Sequence, residues 1–181
     1  MLDSRYMTWG LILDRSTKQY PDVVAVKDDR AKRTYREFND RVNRLANAFE
    51  EVGLAKKDRI ATLSKNCVEL MEMFFAALKA GVVPCPLDAR GTKEDKQSQM
   101  RLVEPKAIAF HPDYAEEAHE LIESHHYPLG AIELGFSEQN QCKNTEKLIA
   151  DGTPRTPLVD VFDDDLAFIP VSYTHLTLPT N

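Results

Sequence analysis

Apolar positions along the chain follow two alternating rhythms. From Met7 to Tyr20, Leu11, Ile12 and Leu13 sit among polar neighbours in an amphipathic stretch. Pro21 ends it, because proline cannot continue a helix. Val23-Val24-Ala25-Val26 is short and β-branched, the composition of a strand. After a polar turn from Lys27 to Ala31, Lys32 to Tyr35 predicts a returning strand and so a small hairpin. Thr34 and Glu37 have capping-box spacing, in which the two side chains satisfy free amides at a helix start. Behind them Phe38, Val42, Leu45, Ala46, Phe49 and Val52 repeat at helical spacing, and Gly53 offers a C-terminal cap. The opposite face mixes Arg36, Asp40, Arg41, Arg44, Glu50 and Glu51, the pattern of a solvated surface.

Asp58 to Ser64 predicts a buried strand, and Asn66 a cap for the next helix with Glu69 in the box position. That helix carries Val68, Leu70, Met71, Met73, Phe74, Phe75, Ala77 and Leu78 over most of its circumference, so it must be buried on more than one side. Gly81 ends it. Val82 to Leu87 is extended, and Pro84 and Pro86 confine it to a sheet edge or a strand end. Thr92 opens a polar helix whose inner residues are Met100, Leu102 and Val103. Lys106 to Phe110 predicts a strand, Ala115 to Glu123 a helix, and Leu129 to Leu134 a further strand that Gly130 weakens. From Gly135 to Pro157 the chain is polar and aperiodic, which predicts a long loop with at most one helical turn near Glu146 to Ala150. Two short apolar runs, Val159 to Phe162 and Leu166 to Ile169, flank the acids Asp163, Asp164 and Asp165.

Strands that alternate with helices of this length predict an α/β fold: a mostly parallel sheet with helices on both faces. The 181 residues suit one domain or part of a larger one. The net charge of −6 argues against nucleic acid as a partner, since a phosphate backbone needs a clustered positive field. No apolar run is long enough for a transmembrane segment. Met1 to Arg5 lacks the basic start and apolar core of a secretory signal, so a cytoplasmic location is expected. Cys67, Cys85 and Cys142 are odd in number and widely spaced, and read as reduced thiols.

Candidate chemistry is sparse. His111, His119, His125, His126 and His175 have no metal-ligand spacing, and the adjacent His125 and His126 point in different directions on most elements. The seven glycines form neither a GxG nor a GxxxxGK pattern, so no loop brings backbone amides close to a phosphate. GxSxG is also missing. Asp163 to Asp165 could hold a divalent cation, but an acid run without a designed loop reads as a solvated turn. These residues therefore predict no catalytic, cofactor-binding or metal-binding side chain.

The order of segments carries a resemblance. Tyr20 to Val26, Thr34-Tyr35-Arg36-Glu37-Phe38, Asn43 to Phe49, Gly53-Leu54 and Asp58 to Ala61 look like the opening of the adenylate-forming enzymes, the family of acyl-CoA synthetases, peptide-synthetase adenylation domains and luciferases. Asn66 to Leu70 continues it. Phe74 to Leu87 resembles the family's first core motif, a Leu-Lys-Ala-Gly turn before a strand that ends in proline. The resemblance covers roughly residues 8 to 170 and implies residues 1–170 as an incomplete N-terminal subdomain of the adenylate-forming fold.

For the full-length enzyme the resemblance implies a two-step ligation that uses ATP and Mg²⁺. A carboxylate attacks the α-phosphate to give an acyl-adenylate and pyrophosphate, and a thiol, usually CoA, then displaces AMP. The expected substrate is a fatty or other small organic acid. In the family, an Asp-Asp-Leu-Ala strand runs into a glycine-rich phosphate loop. Asp164 to Pro170 looks like that strand, but Val171 to Asn181 then has neither glycine nor lysine. Residues 171–181 are expected to be a non-native tail and the chain to be a truncated, inactive part of a ligase. The reading from another class is a stand-alone, non-catalytic α/β binding or interaction module, with Ser64 to Asn66 at the sheet edge where its ligand loop belongs.

Overall fold

The computed structural model describes residues 7–124, 127–135 and 142–170. His125, His126, His175 and the tail 171–181 lie outside the described residues. The chain opens with helix α1 (Trp9–Gln19), whose N-cap Thr8 accepts from Leu11 N–H. Strands β1 (Val24–Lys27) and β2 (Lys32–Thr34) then form the expected antiparallel hairpin. Thr34 and Glu37 make both halves of the capping box at the start of α2 (Tyr35–Glu51). A cap of this kind contributes about 1 kcal/mol.

Among the described residues the main sheet has five strands: β3 (Arg59–Leu63), β4 (Val83–Pro86), β5 (Ala107–Phe110), β6 (Ala131–Glu133) and β7 (Lys143–Asn144). Their order is β4-β3-β5-β6-β7, and every neighbouring pair is parallel. The proline-bearing β4 lies at an edge, where a missing N–H leaves no gap in the ladder. Helices α3 (Val68–Ala80), α4 (Lys93–Val103), α5 (Ala115–Ser124) and α6 (Thr145–Asp151) complete the fold.

Side chains on β3 and β5 alternate between two cores, as the period of a strand requires. Ile60, Ala107 and Ala109 face one core, built with Phe38, Leu45 and Phe49 of α2, Met73 of α3 and Ile149 of α6. Ala61, Leu63, Ile108 and Phe110 face the other, with Met100 and Val103 of α4 and Leu121 of α5. Helices thus cover both faces of the sheet. Helix α3 is gripped by α1, α2, β1 and β4, which accounts for its apolar circumference.

Four expectations need correction. Cys67, not Asn66, caps α3: its Sγ accepts from Leu70 N–H at 3.4 Å. The helix starts one residue later because Asp28, at the tip of the hairpin, takes the Val68 N–H at 2.9 Å. Leu102 is 62% exposed, since the inward stripe of α4 runs through Lys96, Gln99, Met100 and Val103. The region read as a loop contains β7 and α6, whose N-cap Asn144 accepts from Lys147 N–H at 2.9 Å. Leu166 to Ile169 is not a strand, although Ile169 N–H donates to Pro84 O at 3.1 Å on the outer edge of β4.

Candidate functional site

Strand β3 lies between β4 and β5; the chain leaves the carboxyl end of β3 toward β4 and that of β5 toward β6, so the connections diverge between β3 and β5. Such a switch point opens a crevice where α/β folds bind ligands. Here it is an open cleft of about 480 Å³ lined by Ser64, Lys65 and Asn66 after β3, Asp88 and Arg90 after β4, and Tyr114 after β5. Ser64 to Asn66 thus line this cleft, while the cap for α3 comes from their neighbour Cys67.

Charged groups crowd the adjoining end of β5. Lys65 Nζ meets Asp113 Oδ2 at 2.5 Å, and this ion pair holds the Asp113 carboxyl below the usual carboxylate range. His111 is 2% exposed. Its Nδ1 accepts from Asp113 N–H at 3.1 Å, and its Nε2 lies 3.3 Å from Arg30 Nη2. Burial is the main cause that lowers the His111 pKa, with Arg30 and Lys65 acting in the same direction and Asp113 and Glu69 opposing. Asp28 accepts from the backbone N–H groups of Val68, Ala31 and Arg30, which lower its pKa in that order. The sequence gives no spacing signal for this cluster, because the hairpin, the loop after β3 and the loop after β5 meet only in the fold.

The arrangement can bind but has no activated nucleophile. Ser64 Oγ donates to Lys65 O at 2.7 Å instead of to a base. Burial pushes the Cys67 thiol up, and Cys85 is raised to about 12, so neither forms thiolate readily near neutral pH. Asp163 to Asp165 form a turn in which Asp165 pairs with Lys56. Among the described residues no group of three metal-ligating side chains converges.

The AMP-binding enzyme family matches residues 13–174. A crotonobetaine/carnitine–CoA ligase of Escherichia fergusonii is 31% identical over 122 residues, which are 62% of this chain and 24% of that protein. Surfactin synthase subunit 2 of Bacillus subtilis is 31% identical over 133 residues, 74% of this chain and 4% of that protein. A crystal structure of a benzoate CoA ligase from Burkholderia xenovorans superposes with a TM-score of 0.80 at 25% identity, over 90% of this chain and 32% of that one. The chain therefore spans less than a third of the length of each of these relatives. A parallel sheet between two helical layers, the segment order read from the sequence and a match across nine-tenths of the residues agree: this chain belongs to the AMP-binding enzyme family and has the fold of the N-terminal subdomain of adenylate-forming enzymes.

Proposed function

We propose that this chain is the N-terminal scaffold of an ATP-dependent ligase that joins a small carboxylic acid to CoA. The family match over residues 13–174 carries the reading, supported by the acid–CoA ligases among the relatives. In the whole protein, the acid's carboxylate displaces pyrophosphate from ATP to form an acyl-adenylate, with Mg²⁺ offsetting phosphate charge, and CoA thiol then expels AMP. Such catalysis works through positioning and charge stabilisation. The substrate class extends to fatty acids, and the ligase acts in the cytoplasm. Among the described residues no helix is long and apolar enough to cross a membrane.

The 181-residue polypeptide does not itself turn over ATP, because none of its sequence can wrap a triphosphate in backbone amides. Residues 171–181 are a non-native replacement for the start of the phosphate loop. The decisive experiment is ATP–pyrophosphate exchange by the purified chain together with sequencing of the continuous gene. Background exchange and a glycine-rich loop within about ten codons of residue 170 are the expected results; the spacing is what the resemblance to the adenylate-forming enzymes implies, in which such a strand runs almost directly into the loop. Measurable exchange overturns the inactivity. A gene that continues without such a loop favours the stand-alone binding module, whose support is the cleft between Lys65 and Arg90.

A further inference from the structure

Lys56 lies in the turn between α2 and β3, and its side chain crosses to the segment that ends at Pro170. Its Nζ donates to Asp160 O at 2.7 Å and meets Asp165 Oδ2 at 2.6 Å. The same ammonium stands 5.0 Å from the centre of the Phe162 ring. Asp165 also closes its own turn, accepting from Phe162 N–H at 2.8 Å through Oδ2 and donating its N–H to Phe162 O at 3.2 Å. Four residues later, Ile169 N–H takes up the Pro84 carbonyl on the open side of β4.

The stem of Lys56 passes over the end of α3. A Cβ built on Gly81 would stand 2.8 Å from Lys56 Cγ. Gly81 therefore has two reasons to lack a side chain: its φ of +67° and the lysine that lies across it. The neighbouring Lys57 N–H donates to Gly81 O at 2.7 Å, which fixes the turn that aims Lys56. An exposed lysine–aspartate pair contributes little, because two mobile side chains must be held in one geometry. Here one ammonium makes three contacts, and the Lys56 and Asp165 side chains are only 27% and 18% exposed. Desolvation of this kind strengthens both the charged hydrogen bonds and the cation–ring contact.

We propose that Lys56 is a positioning residue: it clasps residues 160–165 so that residues 166–169 lie along the edge of β4, and it thereby fixes the point from which the chain departs at Pro170. The inference rests on the ligase reading for its functional meaning, since in that reading the segment after residue 170 leads to the triphosphate. The Leu78-Lys79-Ala80-Gly81 turn then serves the distant departure point as well as the end of its own helix.

Amide hydrogen exchange on the purified chain tests this. Lys56→Met is expected to lower protection of the Phe162, Asp165 and Ile169 amides by about tenfold, while Ile60 and Ile108 in the central strands stay protected. Lys56→Arg, which keeps the charge and most of the stem, should recover part of the loss. Asp165→Asn should match Lys56→Met at Ile169, and the double variant should add little to either, as coupled partners do. Unchanged Ile169 protection in both single variants overturns the clasp, as does full additivity. None of these readouts involves ATP, so a failed ligase assignment leaves the clasp standing without its role in positioning a phosphate loop.

Discussion

Arg41 and Glu72 meet side by side across the α2–α3 interface, with Nε to Oε1 at 2.6 Å and Nη2 to Oε2 at 2.9 Å. The Glu72 carboxylate is fully buried. Arg41 also reaches Glu146 on α6, and Arg33 on the hairpin lies 3.5 Å from Glu72, so one carboxylate ties three elements together. Burial pushes the Glu72 carboxyl up despite both arginines. Removing Glu72 leaves Arg41 with Glu146 alone and takes the neighbouring carboxylate from Arg33, so positive charge inside the fold is under-compensated. Glu72→Ala should therefore cost about 3 kcal/mol in denaturant titration, and Arg41→Met combined with Glu72→Met should recover most of it.

Gly152 ends α6 where the helix abuts α2. A Cβ there would lie 2.3 Å from the Arg44 carbonyl oxygen, and backbone cannot swing aside as a side-chain tip can. Arg44 Nη1 also donates to Gly152 O at 3.0 Å, which locks the approach. The expected cost of Gly152→Ala is about 1–3 kcal/mol by overpacking. The φ of −73° adds no strain, so a thermal melt isolates the steric effect.

Lys57 holds a φ of +73°, the left-handed region that disfavours a side chain. Its Cβ strain is worth roughly 1 kcal/mol. Lys57→Gly should therefore raise stability by a few tenths of a kcal/mol, after the extra chain entropy of glycine is subtracted. A lower melting temperature in this variant would show that the lysine side chain contributes more than its backbone costs.

His111 makes stability depend on pH. Its pKa in the fold lies below 6.5, chiefly through burial, while Arg30, Lys65, Asp113 and Glu69 face it. The unfolded chain thus takes up the proton first as pH falls. Stability is full above 6.5 and is lost as pH descends from there toward the folded value. Between pH about 7.5 and about 5.5, a span centred near the ordinary histidine value, the melting temperature should drop more in the native chain than in His111→Gln. Equal slopes would remove His111 from the account.

What the sequence makes legible follows from how local each signal is. The α2 cap, the hairpin and the edge placement of β4 depend on neighbouring residues, and Thr34, Glu37 and Pro84 announce them. Asn66 misleads because the cap of α3 is shared with Asp28, 40 residues away along the chain. Helix α6 is only 7 residues long, too short for periodicity to show, and it is held by Arg41 and Arg44 from α2. Leu102 looks inward by composition, yet α4 turns Lys96 inside to reach Glu117 at 2.6 Å. The cluster around His111 and the clasp at Lys56 come from residues brought together by topology, and no spacing in the chain foretells either.

The strand order β4-β3-β5-β6-β7 has a consequence for synthesis. As the polypeptide leaves the ribosome, β3 emerges first, and each later strand finds its neighbour already exposed: β4 and β5 on β3, β6 on β5, β7 on β6. Residues 166–169 emerge after all of these strands and meet β4 through Ile169 N–H and Pro84 O. Among the described strands none has to be prised from its neighbour to admit a later one, so they can assemble outward from β3 while translation continues.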